Sequence, residues 1–340
     1  MAKSIHIAMR EFSRSSGGGH VVNQGIMNGF RKLDYIQVTP FQDASEIPNE
    51  SDFVLCMGTQ AIKRRGPKTV FWPLNVAMFD SDAIRVSSTT LWNSFRYRVL
   101  RFKVGRSVRK ADVLVFDSHF ARDEHQRFFP AIKTKPTLAM RPGLQPPDEL
   151  KSGPREKVVA GRIAMVSHLY PYKLVVESIQ GFKQALVELP HLQLQIAGRC
   201  PDAAYEKLVR KEIGSLENIQ LLGNLDSSQL SKLYSSSELV LFSSICENAG
   251  SFTAFDAIYF GKPMICSNRS SMPEAMHDSV LYVDPFSPSE IGSAIVSVFT
   301  KPDLKSDLEY RARQRADRLE SWDQRAKTVA DFLVQLAGHS

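Results

Sequence analysis

The chain has 340 residues, more than one hydrophobic core usually supports, so two domains are expected. Apolar residues make up 43% and charged residues 23%, as in ordinary globular proteins. The sequence contains no run of 18 apolar residues, so no membrane-spanning helix is predicted. The net charge is +7, and residues 1–150 hold 22 Lys and Arg against 14 Asp and Glu. This excess predicts an anionic partner for the N-terminal half alone.

Short apolar runs alternate with helical patterns along the chain. Strands are predicted in the first half at Ser4–Ala8, Ile36–Thr39, Phe53–Met57, Thr69–Phe71, Val113–Asp117 and Thr137–Met140. In the second half they are predicted at Arg162–Val166, Leu192–Ala197, Ile219–Leu222, Leu239–Phe242, Met264–Ser267 and Val280–Val283. Helices are predicted between them, for example at Leu174–Leu189, Ala203–Ile213, Ser228–Tyr234, Thr253–Phe260 and Pro288–Phe299. This alternation favours an α/β fold with two doubly wound parallel sheets.

A linker is predicted at Pro142–Pro154, where Pro, Gly and charged residues are dense and the apolar period stops. It separates an N-terminal domain over residues 1–148 from a C-terminal domain over residues 155–318. The N-terminal sequence is interrupted by charge and does not predict a secretory signal. The four cysteines form no C-x-x-C pair, so we expect reduced thiols in the cytoplasm.

The segment Phe95–Lys110 predicts a helix with a cationic face. Its apolar stripe contains Leu100, Val104 and Val108, with Phe102 nearby. Its basic residues are Arg96, Arg98, Arg101, Lys103, Arg106, Arg109 and Lys110. The helix either covers the core with a solvated face or binds an anionic membrane surface or a phosphate-bearing acceptor. No stacking platform or known motif favours nucleic acid.

The motif SRSSGGGH, Ser13–His20, follows the first predicted strand and precedes a helix expected to begin near Val21. Glycines allow backbone amides to approach a ligand, and a helix N-terminus favours anions. The motif lacks both the dinucleotide spacing and the P-loop lysine. A plain flexible turn explains it equally well.

The motif VSHLYPYK, Val166–Lys173, follows the first strand of the second half. Lys173 lies at the carboxyl end of that strand, where open α/β sheets bind ligands, and its ammonium group could neutralise a diphosphate. His168 could donate to the same oxygens. The alternative is a surface lysine beside a loop histidine.

The motif SSICENAGSFTAFDAIYFGKP, Ser243–Pro263, joins a buried strand to a helix. Glu247 precedes the helix and Asp256 lies on it. Each carboxylate could accept hydrogen bonds from two sugar hydroxyls, and the small residues Asn248–Ser251 could expose amides to an anion. The alternative is a capped helix with surface acids.

In this order, the motifs resemble GT-B-fold glycosyltransferases, and within them the retaining enzymes of glycosyltransferase family four, also called glycosyl transferases group 1. The similarity covers Val159–Leu336 through VSHLYPYK, QIAGR, LLGNLD, CENAGSFTAFDAIYFGKP, SMPE and LYVDP. Residues 1–150 match more loosely. The resemblance implies two Rossmann-like domains facing across a cleft, with a closing helix at 319–340 that returns to the N-terminal domain.

The resemblance also implies roles for individual residues. Lys173, Glu247 and His168 are expected to act in catalysis. Donor-binding residues are expected to be Gly18, Gly19, Lys173, Arg199, Leu225, Glu247, Asn248, Ala249, Gly250, Ser251, Phe252 and Asp256. No clear counterpart exists for the histidine that approaches the donor sugar, and His20 and Asn75 are the candidates on the acceptor side. Positively charged groups and helix amides imply that no metal ion or other cofactor is needed.

Two departures from the family pattern concern charge and reach. His168 replaces the usual arginine and cannot supply its permanent bidentate charge. Asp256 replaces the second glutamate at E-x8-D spacing, one residue longer than usual. The implied function is retaining transfer of a sugar from a UDP- or GDP-linked donor to a glycan or lipid-linked acceptor at the cytoplasmic face of a membrane. A nucleotide-sugar epimerase or a non-catalytic sugar- or nucleotide-binding scaffold are the alternatives.

Overall fold

The structure is a computed structural model that describes residues 4–12, 18–87, 91–148 and 156–338. The described residues divide into two compact units: those within 4–84, 91–145 and 319–338 form the first, and those within 85–87 and 146–318 form the second. The first unit contains the N-terminal sheet and the C-terminal helix, and the second contains most of the remaining chain. Residues 149–154 of the predicted linker and Ser13–Gly17 of the glycine-rich motif lie outside the described residues.

The first unit is built on a parallel six-stranded sheet in the order β2-β1-β3-β4-β5-β6. The strands are β1 (Ile5–Arg10), β2 (Ile36–Phe41), β3 (Phe53–Gly58), β4 (Lys68–Pro73), β5 (Val113–Phe116) and β6 (Thr137–Ala139). The helices of this part of the chain are α1 (Gly18–Phe30), α2 (Ser81–Ser87), α3 (Leu91–Lys110) and α4 (His119–Phe128). Central strands read as continuous apolar runs because both sheet faces are covered.

The C-terminal helix, α12 (Trp322–Gly338), belongs to the first unit and packs on α1. Glycine is needed at two positions of α1 for this approach. A Cβ at Gly25 would lie 2.2 Å from the Trp322 ring, and one at Gly29 would lie 2.4 Å from Ala326 Cβ. The smallest side chain therefore allows the two helices to pack closely.

The second unit is also built on a parallel six-stranded sheet, in the order β12-β11-β10-β7-β8-β9. Its strands are β7 (Arg162–Val166), β8 (Gln193–Ala197), β9 (Ile219–Gly223), β10 (Leu239–Phe242), β11 (Met264–Ser267) and β12 (Leu281–Val283). Its helices are α5 (Val175–Glu188), α6 (Ala203–Ile213), α7 (Ser227–Ser236), α8 (Phe252–Tyr259), α9 (Met272–Met276), α10 (Pro288–Thr300) and α11 (Pro302–Asp317). The twelve predicted strands are all present, with ends within two residues of those expected.

The strand order of the second unit creates a topological switch point. β7 pairs with β8 on one side and β10 on the other. The chain therefore leaves these neighbouring strands in opposite directions, which opens a crevice at their carboxyl ends. The segments that follow β7 and β10 carry Lys173 and Glu247, so the topology brings two sequence-predicted site residues to this crevice.

Candidate functional site

The segment after β7 is fixed by backbone contacts with the segment after β10. Pro171–Lys173 form a single 3-10 turn that ends at Leu174, whose φ is +49°. Ile245 N donates to Tyr172 O at 3.0 Å, and Ser243 Oγ donates to Lys173 O at 2.8 Å. These contacts hold the Lys173 backbone at the carboxyl end of the sheet before any ligand binds.

Lys173 and Glu247 form an ion pair across the switch point. Their side chains are only 11% and 12% exposed. The Lys173 ammonium group also lies 5.3 Å from the Tyr172 ring centroid and 5.4 Å from that of Phe242, within the range of cation–π attraction. Because an ammonium group has three donors, Lys173 can keep Glu247 and still donate to a phosphate.

His168 is exposed and lies near two positive charges. Partial desolvation of its ring, followed by the charges of Arg199 and Lys173, lowers the pKa of His168 below its usual 6.5. The imidazole is therefore mainly neutral at pH 7 and can donate a hydrogen bond without adding charge. Arg199 is itself exposed just beyond β8 and provides a permanent positive charge near this histidine.

Two serines that follow β11 hold the segment after β10. Glu247 N donates to Ser270 Oγ at 3.0 Å, and Gly250 N donates to Ser271 Oγ at 2.7 Å. Ser271 Oγ in turn donates to Glu247 O at 2.9 Å. Ser271 is completely buried, so its hydroxyl connects both ends of the Glu247–Gly250 segment away from solvent.

Sequence reasoning missed these serines. Ser271 stands at the N-cap of α9, where serine usually accepts a bond from the helix, but its side chain makes no capping bond. The Gly250 amide is engaged by Ser271, which differs from its expected role of facing the ligand. The SMPE motif marked this segment but did not reveal which backbone groups the hydroxyl would bind.

The other predicted donor-binding residues occupy the start of α8 and the neighbouring strand ends. Ser251 is the N-cap of α8, Ala249 is buried, and Asn248 and Phe252 are half-buried. Asp256 is half-buried on α8, where burial and then the Asp256 charge raise the pKa of Tyr259 to about 12. Leu225 is half-buried just before α7.

The structure shows why the motif QIAGR has a glycine at Gly198. Its φ is +144°, and a Cβ there would lie 1.8 Å from Ser167 O. Gly198 N also donates to Gly223 O at 2.7 Å. The ends of β7, β8 and β9 therefore converge at a backbone contact that tolerates no side chain.

In the first unit, the predicted Gly18 and Gly19 form the beginning of α1. The helix therefore begins three residues before the expected Val21. A Cβ at Gly19 would lie 3.2 Å from Leu74 Cδ1, which places the start of α1 beside the segment after β4. His20 follows Gly19 in the chain and is half-buried, and Asn75 follows Leu74 and is exposed. Asn75 Oδ1 accepts a hydrogen bond from Ala77 N at 2.7 Å.

The expectation that all seven basic residues of α3 lie on one cationic face is wrong for Arg101. Its guanidinium donates to Met78 O at 2.6 Å and lies 4.6 Å from the Phe128 ring centroid. Phe102, expected near the buried stripe, is 65% exposed. The 100° turn per residue places Arg101 on the core side and Phe102 on the outer side.

Two further properties concern the described residues only. They contain no cluster of three or more His, Cys, Asp or Glu arranged to hold a metal ion. None of their helices is both long and apolar enough to cross a membrane.

The cysteines Cys56, Cys200, Cys246 and Cys266 are free thiols, and burial raises the pKa of Cys56, Cys200 and Cys266.

Comparisons with known proteins agree with the architecture of both units. The family model described as Glycosyl transferases group 1 matches residues 151–315. Sucrose-phosphate synthase from Thermosynechococcus elongatus has a TM-score of 0.71 at 13% identity, covering 99% of this chain and 100% of its own. HepE from Anabaena, solved with UDP-glucose, has a TM-score of 0.68 at 13% identity, covering 97% and 100%.

WaaG, a glycosyltransferase involved in lipopolysaccharide biosynthesis, has a TM-score of 0.67 at 16% identity, covering 96% of this chain and 99% of its own. No curated protein matches the chain by sequence. At these identities the structural likeness establishes the fold, and the family match covers the unit that contains Lys173 and Glu247. Both units together therefore have the fold of the GT-B glycosyltransferases, and the family match is confined to residues 151–315.

Proposed function

We propose that this protein is a retaining glycosyltransferase that transfers a hexosyl group from a nucleoside diphosphate to a glycan or lipid-linked acceptor. The observation that carries the proposal is the nearly buried Lys173–Glu247 pair at the switch point of the second sheet. An ammonium group supplies charge for a diphosphate, and a carboxylate supplies acceptors for sugar hydroxyls. The family match over residues 151–315 supports the same chemistry.

In this proposal, Lys173, Arg199 and neutral His168 donate to the diphosphate, assisted by amides near the start of α8. Glu247 accepts hydrogen bonds from the donor sugar, and Asp256 accepts them from the ribose. Leu225 lies beside the base. These residues follow different strands of one sheet and share its carboxyl edge, where α/β proteins bind ligands.

The proposed transfer needs no covalent intermediate with the protein. The bond between the anomeric carbon and the phosphate oxygen breaks while a bond to the acceptor oxygen forms on the same face. The acceptor proton passes to the departing phosphate. Lys173 and the other donors stabilise the negative charge on that phosphate, which is the main contribution required of the protein.

We propose that the transfer requires no metal ion, because positively charged side chains supply the charge for the diphosphate. Activity in excess EDTA that matches the untreated activity supports this view, whereas recovery only on adding a divalent cation contradicts it.

His20 and Asn75 are the proposed acceptor-side groups of the first unit, and the Gly18–Gly19 start of α1 is its proposed β-phosphate group. We propose a cytoplasmic location.

The function is tested by incubating the protein with UDP- and GDP-linked hexoses and a panel of glycan and lipid-linked acceptors. Acceptor-dependent release of nucleoside diphosphate, with a product that keeps the donor's anomeric configuration by NMR, supports the proposal. An inverted product contradicts the retaining mechanism. Nucleotide release without a glycosylated product indicates an epimerase, and binding without turnover indicates a scaffold.

A further inference from the structure

Helix α3 presents two chemically different sides. On its inner side, Val104 and Val108 are fully buried and Leu100 is half-buried against the core of the first unit. The inner side therefore accounts for the packing of α3. The outer side is not needed for that packing, and its composition requires a separate explanation.

Two large aromatic side chains lie on the outer side. Phe95 and Phe102 are 55% and 65% exposed. They are seven residues apart, so their directions differ by about 20° and their positions by about 10 Å along the helix axis. A single exposed aromatic ring is common, but two aligned on one helix face form an apolar line that costs free energy in water.

Cations border this line on both sides. At 100° per residue, Arg98 falls on one flank and Arg96, Lys103 and Lys110 on the other, while Arg106 and Arg109 lie close to the line itself. All six are exposed. No acidic residue occurs between Leu91 and Lys110, so the outer face combines uninterrupted positive charge with a narrow apolar centre.

We propose that the outer face of α3 binds the surface of an anionic membrane, with the helix in the plane of the bilayer. The Phe95 and Phe102 rings enter the boundary between headgroups and acyl chains. The flanking Arg and Lys side chains reach lipid phosphates on either side. The binding surface belongs to the first unit, and it does not depend on the donor chemistry proposed for the second.

The geometry favours a bilayer over a polynucleotide. A bilayer offers a flat negative surface with an apolar layer beneath it, which matches an apolar line bordered by cations on both flanks. Single-stranded nucleic acid instead stacks successive bases on aromatic faces along a groove that follows its backbone. The outer side of α3 is a convex helix surface.

The experiment measures sedimentation of the full chain with vesicles of phosphatidylcholine alone or with phosphatidylglycerol added. Binding is expected only with the anionic lipid, and it should weaken as salt rises from 0.1 M to 1 M. The triple variant Phe102→Ser, Lys103→Gln, Arg106→Gln should weaken partitioning by at least about 25-fold. This figure assigns about five-fold to each lost charge.

A matched triple variant provides the control. On α6, Leu208 is 54% exposed and lies beside exposed Lys207 and Lys211. The variant Leu208→Ser, Lys207→Gln, Lys211→Gln removes the same kinds of side chain from another exposed helix. It should sediment with anionic vesicles as the unmodified protein does. Equal loss in both triple variants would show that net charge, rather than this face, determines binding, and would overturn the proposal.

Insertion is tested separately by fluorescence. Phe102→Trp should shift its emission to shorter wavelength with anionic vesicles, whereas Leu208→Trp should show no shift. No sedimentation of the unmodified protein with anionic vesicles, or no shift from Trp at position 102, contradicts the proposal. Tight binding of single-stranded RNA without vesicle binding assigns the face to nucleic acid and also contradicts it.

Discussion

Lys173 and Glu247 are paired across the switch point of the second sheet although 74 residues separate them in the chain. Removing one member leaves the other charge nearly buried without its partner, which is costly. The ammonium group is also surrounded by the Tyr172 and Phe242 rings. It is therefore positioned before a ligand arrives, as stabilisation of a departing charge requires.

Lys173→Ala should reduce kcat by about a hundredfold or more, because it removes a donor to the leaving diphosphate. Steady-state kinetics with a saturating donor and acceptor provide the measurement. Lys183→Ala is the control, since Lys183 pairs with Glu212 at 2.8 Å on helices of the same unit and has no proposed role in transfer. Similar kcat values for the two variants contradict the site assignment.

Ser271→Ala should raise the KM for the donor because the Glu247–Gly250 segment loses its shared hydroxyl. Two backbone groups lose their partner, at a cost of about 1–3 kcal/mol for each that stays buried. The control is Ser279→Ala, another buried serine, whose Oγ donates to Met276 O at 2.6 Å. If both variants lower Tm alike and leave the KM unchanged, Ser271 has only a structural role.

Gly198→Ala should destabilise the second unit by about 3 kcal/mol or more, since its Cβ would collide with Ser167 O. Gly214→Ala offers a comparison: its φ is also positive, at +65°, but nothing lies within 4 Å of the added Cβ. That variant should lose only the backbone strain, about 1–3 kcal/mol. Urea unfolding compares the two, and equal losses would contradict the close contact between β7 and β8.

Acid should destabilise the first unit through His125. Burial lowers the pKa of this histidine to about 4, and its Nδ1 lies 2.6 Å from Ala121 O. Between pH 6.5 and about 4, the unfolded chain binds a proton that the folded chain does not. The free energy of unfolding should therefore fall by about 1.4 kcal/mol for each pH unit between 6.5 and about 4. Above pH 6.5, His125 should add no pH dependence to the free energy of unfolding.

Urea unfolding from pH 7.5 to pH 5 tests this dependence, with His125→Asn as the comparison. The variant removes the titrating ring and should flatten the slope relative to the unmodified protein. Parallel slopes would mean that His125 is protonated in the folded state or does not govern the acid response.

Periodicity was enough to predict the two sheets. β7, β10 and β11 were predicted with their observed ends, because buried parallel strands are short apolar runs between turn residues. The position of Lys173 and Glu247 followed from the rule that ligands bind at carboxyl ends of strands. Their direct pairing was not predicted, because side-chain direction depends on the packing of Tyr172 and Phe242.

Other features depended on contacts that are distant in sequence. Arg101 and the exposed Arg98 are both arginines of α3. The contacts of Arg101 with Met78 O and the Phe128 ring distinguish its environment from that of Arg98. Ser271 looks like a helix cap, yet its hydroxyl binds Glu247 O and Gly250 N. Composition and spacing do not predict these partners, because an arginine or serine side chain can form its hydrogen bonds with several different groups nearby.

The central claim is that the carboxyl edge of the second sheet binds a nucleoside diphosphate sugar through Lys173. Calorimetric titration with UDP, GDP and their hexose conjugates tests it most directly. The account predicts saturable binding of at least one conjugate, at least tenfold weaker in Lys173→Ala and unchanged in Lys183→Ala. Equal affinity in the unmodified protein and both variants, or no binding of any nucleotide, would contradict it.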